Sequence, residues 1–149
     1  MYKTKIGHIH LKVSDLDKSI NFYTKFLNLK LVERVNDEYA FLTNNKYHHE
    51  IALKNIGKKA KKPTDDMVGL FHFAFEVANK KSLADAYRKL IRSAVKVGTI
   101  DHLISWAIYF HDPDGNGIEL YCDTRKETGI RLWQGKNLPL PDKKLLAHK

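Results

Sequence analysis

Two histidines and one glutamate are the residues of this sequence best suited to bind a metal ion together. His8 lies in the segment IGHIHLKV, His72 lies at the same place in LFHFAFEV, and Glu119 follows the turn sequence DPDGN. Neutral imidazoles and a carboxylate suit Fe(II), Mn(II), Zn(II) or Ni(II), and three protein ligands leave positions open for a substrate. We therefore predict one divalent metal ion bound by His8, His72 and Glu119. His10 ranks below His8 because its counterpart, position 74, is alanine.

The two histidines belong to an internal repeat with an offset of 64 residues. The same offset pairs Tyr23 with Tyr87 and Lys25 with Lys89, so one register extends over both stretches. The repeat predicts an α+β fold of two tandem βαβββ modules that together form one domain, followed by a C-terminal tail. The predicted modules span residues 1–56 and 67–123, and the tail spans residues 124–149.

The order of elements is the same in both halves. Alternation of apolar and polar residues predicts strands, apolar residues at helical spacing predict one helix per half, and Ser14 or Asp15 is the expected cap of the first helix. In the first half we predict a strand at 4–13, a helix at 16–28 and strands at 29–35, 38–44 and 48–54. In the second half we predict a strand at 68–77, a helix at 80–95 and strands at 97–102, 105–111 and 117–122.

Strand parity indicates which side chains face away from the helices. In a strand, alternate residues point to opposite faces, so the apolar residues beside His8 and His72 face the helices and the histidines face the other way. The same rule places Tyr109, Glu119 and Tyr121 on the open face. We expect the two halves to form a curved mixed sheet around a metal-binding cavity, with Trp106 and Trp133 as packing residues, the latter at its mouth.

Composition excludes several classes of protein. The chain has 149 residues and a formal charge of +9, but its basic residues are distributed over the whole length, and the one dense cluster, at 58–62, has no interleaved aromatic side chains. We therefore expect no nucleic-acid partner, although a basic surface would attract an anionic substrate. With a single cysteine, Cys122, no internal disulfide is formed. No apolar run suits a membrane helix or a signal peptide, and we expect a cytoplasmic protein.

The motifs resemble those of the vicinal oxygen chelate superfamily, which includes glyoxalase I, fosfomycin-modifying enzymes and type I extradiol dioxygenases. The resemblance rests on IGHIHLKVSDLDKSINFYTKFLNLKL at 6–31, GLFHFAFEV at 69–77 and YFHDPDGNGIELYCD at 109–123. It implies that His8, His72 and Glu119 bind the metal, in agreement with the repeat.

Within the superfamily, the chain is most similar to single-domain extradiol enzymes of the catechol 2,3-dioxygenase kind. That likeness implies Fe(II) as the metal, with Mn, Ni or Zn as alternatives, and an aromatic diol and O2 as substrates whose reaction opens the ring. It implies catalytic roles for His49 as the acid–base residue and for Tyr109 as a donor to a substrate oxygen. It also makes His102 a candidate for a further active-site histidine, which such enzymes carry nine residues before the tyrosine rather than seven. A homodimer is the expected assembly.

Three other functions remain open from the sequence. Regular parity sends Glu50 inward and His49 outward, unless the strand begins or bulges at this point. With its side chain inward, Glu50 would be the fourth ligand of a glyoxalase I-like lyase holding Ni or Zn. A fosfomycin-type thiol transferase would use the same three ligands. A small-molecule binding or resistance module would hold an aromatic compound without any metal.

Overall fold

The computed structural model describes residues 1–64 and 66–148, which form two compact units, Met1–Asp65 and Asp66–Lys149. The boundary between them falls between the predicted modules 1–56 and 67–123. Among the described residues, no helix has the length and apolar character needed to cross a bilayer.

The first unit is one βαβββ module. Its elements are β1 (Ile9–Val13), α1 (Leu16–Leu27), β2 (Lys30–Val35), β3 (Tyr39–Thr43) and β4 (Ile51–Asn55). The sheet order is β1-β4-β3-β2, with β1 parallel to β4 and the other pairs antiparallel. Helix α1 packs on β3 and β4, and it begins where the Asp15 carboxylate accepts the backbone N–H of Lys18 at 3.1 Å. The expected cap is thereby confirmed as Asp15.

The second unit repeats this plan and adds the tail. Its elements are β5 (Phe73–Glu76), α2 (Lys80–Arg92), β6 (Gly98–Asp101), β7 (Ser105–His111), β8 (Gly117–Asp123), α3 (Arg125–Thr128), β9 (Leu138–Pro139) and α4 (Asp142–Leu146). The order β5-β8-β7-β6-β9 matches that of the first sheet apart from the added β9. The shared order and the parallel β5–β8 pair confirm the predicted tandem βαβββ modules.

The predicted side-chain faces of the second sheet are confirmed. Glu119 is the register partner of both Ala74 in β5 and Tyr109 in β7, so these residues share one face. The opposite face packs under α2 and is buried. Its buried residues include Phe73, Trp106, Ile108, Phe110, Ile118, Leu120 and Cys122.

The first strand of each unit begins later than the alternating pattern predicts. β1 begins at Ile9, whose backbone N–H bonds to Glu50 O at 2.9 Å, and β5 begins at Phe73. His8 and His72 therefore each lie one residue before a strand. The prediction that Phe71 packs against the helix is wrong, because this residue precedes the ladder and its side chain is 90% exposed.

The tail is an integral part of the second unit. β9 pairs antiparallel with β6, with Leu138 opposite Asp101. Leu140 and Leu145 are buried, and Arg88 of α2 donates to the carbonyl oxygens of residues 146 and 148 at 3.0 and 2.9 Å. These contacts hold the tail against the β6 edge of the sheet and against α2.

Candidate metal centre and proton-transfer row

Four predicted site residues of the second unit form one continuous row of polar contacts. His72 Nε2 lies 3.0 Å from Glu119 Oε2, and the Tyr109 hydroxyl lies 3.0 Å from Glu119 Oε1. The same hydroxyl lies 2.8 Å from His102 Nε2. We call His102, Tyr109, Glu119 and His72 the polar row. Pairing of β7 and β8 places Tyr109 beside Glu119, and the short lead into β5 places His72 on the other side.

His102 is held at the end of β6 by a tight turn. The buried Asp101 carboxylate accepts hydrogen bonds from Leu103 N at 2.8 Å, Trp106 Nε1 at 3.0 Å and Lys144 Nζ at 3.1 Å. Leu103 has a φ of +68°, a conformation that costs a residue with a side chain about 1 kcal/mol or more. The three bonds to Asp101 compensate for that cost, and they fix the turn that carries His102.

Burial and the neighbouring carboxylate keep the Tyr109 phenol protonated. Removal from water is the largest effect, followed by the negative charge of Glu119 and the hydrogen bond to it, and together they raise the pKa of Tyr109 far above its usual value. A tyrosine that stays neutral can donate one hydrogen bond throughout the physiological pH range. Tyr109 is thus a neutral donor beside the carboxylate, not a source of negative charge.

The approach of His72 to Glu119 depends on a glycine. A Cβ atom on Gly117 would lie 2.4 Å from the Phe71 carbonyl oxygen and 3.2 Å from His72 Cβ. The turn before Gly117 is held by the Asp112 carboxylate, which accepts the backbone N–H groups of Asp114 and Asn116 at 2.8 and 2.9 Å. The DPDGN turn therefore places Gly117 at the start of β8. Because Gly117 has no side chain, the backbone leading to His72 can pass close to it.

The first unit places His49 against His8 on the open side of its sheet. Their ring centroids are 4.5 Å apart, and His49 also packs on Phe41, whose ring lies 5.0 Å away. His48 Nδ1 lies 2.9 Å from His49 Nδ1. Burial, followed by the adjacent histidines, lowers the pKa of His49. β4 begins only at Ile51, so His49 is free of the regular parity that would turn it away from this face.

Glu50 has a local structural partner. Its Oε2 atom accepts the Thr43 hydroxyl and the backbone N–H of Asn44, both at 3.0 Å. The carboxylate thereby holds the end of β3 against the start of β4. His10 lies on the open side as expected, with its ring 6.1 Å from that of Tyr39.

The donor set of the second unit fits a divalent metal ion. An imidazole nitrogen and a carboxylate oxygen 3.0 Å apart are close enough to bind one ion together at the usual ligand distance of about 2.1 Å. Within residues 1–64 and 66–148, no three His, Cys, Asp or Glu side chains form a group able to hold an ion. His8 belongs to the other unit, so the three-ligand set and the cavity expected between the modules stay predictions.

Sequence reasoning missed the contacts of the tail with the polar row. Asn137 Oδ1 lies 2.7 Å from His102 Nδ1, and the Trp133 ring centroid lies 5.9 Å from that of His102. Neither residue belongs to the repeat, and no periodic pattern surrounds them. The pairing of β9 with β6, which brings them to His102, involves too few residues to be visible as a sequence pattern.

Comparison with known proteins agrees with this architecture. The chain is 33% identical over 132 residues to a catechol-2,3-dioxygenase of Bacillus subtilis (strain 168), covering 89% of this chain and 46% of that protein. It is 30% identical over 121 residues to biphenyl-2,3-diol 1,2-dioxygenase 3 of Rhodococcus globerulus, covering 80% of this chain and 63% of that protein. The chain thus spans between about half and two thirds of the length of these relatives. Other relatives are named metallothiol transferase and probable lactoylglutathione lyase.

Solved structures and a family model lead to the same conclusion. A glyoxylase/bleomycin resistance protein/dioxygenase domain from Frankia sp. EAN1pec superposes with a TM-score of 0.71 at 22% identity, covering 82% of this chain and 93% of that one, and so shares the fold. The model of the Glyoxalase/Bleomycin resistance protein/Dioxygenase superfamily matches residues 5–120, and members of that superfamily use a divalent metal ion. The chain belongs to the Glyoxalase/Bleomycin resistance protein/Dioxygenase superfamily.

Proposed function

We propose that this protein is a metal-dependent extradiol dioxygenase that cleaves a catechol-type aromatic diol with O2. The observation that carries the proposal is the polar row. In this row the neutral Tyr109 hydroxyl contacts the His102 imidazole on one side and the Glu119 carboxylate on the other, and Glu119 lies beside His72. Extradiol cleavage needs a metal-binding carboxylate and imidazole next to groups that hold and move protons. The polar row supplies both kinds of group within one sheet.

Each side chain then has a role that follows from its chemistry. His8, His72 and Glu119 would hold Fe(II), which would supply open coordination positions and the redox chemistry for the reaction of the diol with O2. Tyr109 would donate its hydroxyl proton in a hydrogen bond to a substrate oxygen. His102 would exchange a proton through its Nε2 atom, which already faces that hydroxyl. Positioned groups of this kind typically contribute about 10²–10⁴-fold in rate.

His49 would be the acid–base residue supplied by the first unit. Its ring lies against His8, the expected first metal ligand, and its lowered pKa keeps it neutral and able to accept a proton at neutral pH. The Phe41 ring on its other side restricts its orientation. His49 would therefore act next to the bound diol.

The register of the sheets argues against a four-ligand lyase site. β1 pairs Ile9 with Ile51, β5 pairs Phe73 with Ile118, and the repeat relates Ile9 to Phe73. The position in β4 that corresponds to Glu119 is therefore Ala52, which offers no ligand. Glu50 lies two residues earlier, and its Oε2 atom is engaged by Thr43 and Asn44.

Reconstitution with iron tests the proposal. The protein would be loaded anaerobically with Fe(II) and mixed with catechol or 2,3-dihydroxybiphenyl, and O2 would then be admitted while O2 uptake and the yellow ring-opened product are followed. We expect stoichiometric O2 uptake and colour. Turnover of methylglyoxal with glutathione and no O2 uptake would instead support the lyase, and retention of no metal would support the binding module.

Two pairs of variants separate the ligands from their neighbours. His8→Ala is expected to abolish metal retention, whereas His10→Ala, on the same face, should leave it intact. His49→Ala should lower turnover by about 100-fold or more with the metal retained, whereas Glu50→Gln should affect mainly stability. Equal losses within either pair would contradict the assigned roles.

A further inference from the structure

The segment from Trp133 to Asn137 lies beside the imidazole of His102, at the opposite end of the ring from Tyr109. Asn137 Oδ1 is 2.7 Å from His102 Nδ1, and Trp133 Nε1 is 3.2 Å from the same Oδ1 atom. On the other side of the ring, His102 Nε2 is 2.8 Å from the Tyr109 hydroxyl. Both ring nitrogens of His102 therefore have a partner.

The chemistry of the indole identifies which hydrogen atoms make these contacts. The single Trp133 N–H donates chiefly to the Lys136 carbonyl at 2.7 Å, and its longer 3.2 Å contact with Asn137 must also be to an acceptor, which favours the amide oxygen over the amide nitrogen at that place. That oxygen can only accept, so His102 must donate to it through Nδ1–H. Tyr109 has a single hydroxyl hydrogen, so its oxygen accepts from Nε2–H of a positively charged His102 while it donates to Glu119, and it turns that hydrogen to the bare Nε2 when His102 is neutral.

We propose that Asn137 is a positioning residue that keeps the proton of His102 on Nδ1. Nε2 is then the nitrogen at which His102 gains or loses a proton, and it is the one that faces Tyr109. The tail would thus determine at which atom the polar row exchanges a proton. The kinetic consequence rests on the proposed function, but the protonation pattern itself does not.

The strand register explains how an exposed tail residue reaches this place. In the antiparallel β6–β9 pair, Leu138 is opposite Asp101, so Asn137 comes opposite His102. The pairing is anchored by the Thr99 hydroxyl, which donates to the Leu140 carbonyl at 2.7 Å, and by the burial of Leu140. The Trp133 indole also donates to the Lys136 carbonyl at 2.7 Å, which closes the turn that presents Asn137.

The test measures the tautomer of His102 directly. Histidine labelled with ¹⁵N would be incorporated into the full chain, free of metal, and the His102 signals would be identified by their loss in His102→Gln. We expect the wild type and Asn137→Asp, which keeps an acceptor oxygen, to show a protonated Nδ1. Asn137→Ala should shift neutral His102 toward the Nε2–H tautomer, while Lys136→Ala should match the wild type. An unchanged tautomer in Asn137→Ala, or a bare Nδ1 in the wild type, would overturn the proposal.

Kinetics provide a second measurement once turnover has been found. Asn137→Ala should lower kcat about tenfold with little change in KM, because loss of an outer partner of an active-site histidine typically costs about 10- to 100-fold. Asn137→Asp should restore most of the rate. If the iron-loaded protein turns over no diol, the proposed function fails, whereas the tautomer measurement still decides the role of Asn137.

Discussion

Replacing Gly117 with alanine should separate His72 from Glu119 without changing any polar group. The added Cβ would meet the Phe71 carbonyl oxygen at 2.4 Å, whereas a carbon and an oxygen in contact need about 3.2 Å or more. The backbone leading to His72 must therefore move by roughly 0.8 Å. His72 Nε2 and Glu119 Oε2 lie 3.0 Å apart in the wild type, so a shift of this size is about a quarter of the distance between the two expected ligand atoms.

The magnitude follows from that displacement. A misplacement of about 1 Å can cost roughly 100-fold at an active site, so we expect Gly117→Ala to weaken Zn(II) or Fe(II) binding by about 10- to 100-fold. Forcing a carbon into a packed contact should also lower the free energy of unfolding by about 1–3 kcal/mol. Competition with a chromophoric chelator would measure the first quantity, and urea unfolding would measure the second.

Gly98→Ala is the matched control because it adds the same carbon to the same sheet. A Cβ on Gly98, in β6, would meet no atom within 4 Å. This variant should bind metal like the wild type, and its free energy of unfolding should be unchanged or about 0.5 kcal/mol higher, since alanine loses less backbone entropy in a strand. If both variants bind metal equally well, the close approach at Gly117 is not what positions His72.

Three further changes have defined outcomes. Glu119→Gln should weaken metal binding by at least about 100-fold in the chelator assay, because a neutral amide does not replace a carboxylate ligand, and wild-type affinity would exclude Glu119 as a ligand. Asp101→Ala should lower the free energy of unfolding by about 2–4 kcal/mol in urea, because it leaves a buried indole N–H without its acceptor, whereas Asp85→Ala on the surface should cost less than about 0.5 kcal/mol. Burial, followed by the hydrogen bond that the Tyr87 hydroxyl donates to the Asp142 carboxylate, raises the pKa of Tyr87 from 10.0 to about 12, so above pH 10 the unfolded chain releases this proton first. Tyr87 should then contribute about 1 kcal/mol to the fall in the free energy of unfolding between pH 10 and 11, and the fall should be smaller by that amount in Tyr87→Phe.

The repeat is the reason that so much of the fold could be predicted. One offset relates His8 to His72, and the equal strand orders of the two sheets follow from the same duplication. Strand parity was sufficient to predict the face of the sheet on which Tyr109 and Glu119 lie, because both residues lie within regular strands with one buried face. Local chemistry was sufficient to predict Asp15 as a candidate cap of α1, because its carboxylate only has to reach the backbone N–H three residues away.

The remaining features depend on contacts between residues distant in the sequence. Alternation of side chains extends through residues 4–8, but a strand needs a neighbouring backbone, and the ladder begins only where Ile9 meets Glu50. His49 lies just before a strand, where parity does not apply. Asn137 reaches His102 through the pairing of β9, whose two residues carry no pattern of their own.

The short strand β9 also has a consequence for the behaviour of the chain in solution. An uncovered β6 would present unpaired backbone N–H and C=O groups to other molecules, and such edges promote strand addition and aggregation. Leu138 and Pro139 occupy part of that edge, and the proline ring itself has no N–H to offer to a further strand. A shortened chain that ends before β9 would therefore be prone to self-association through its second sheet, independently of any effect on the chemistry.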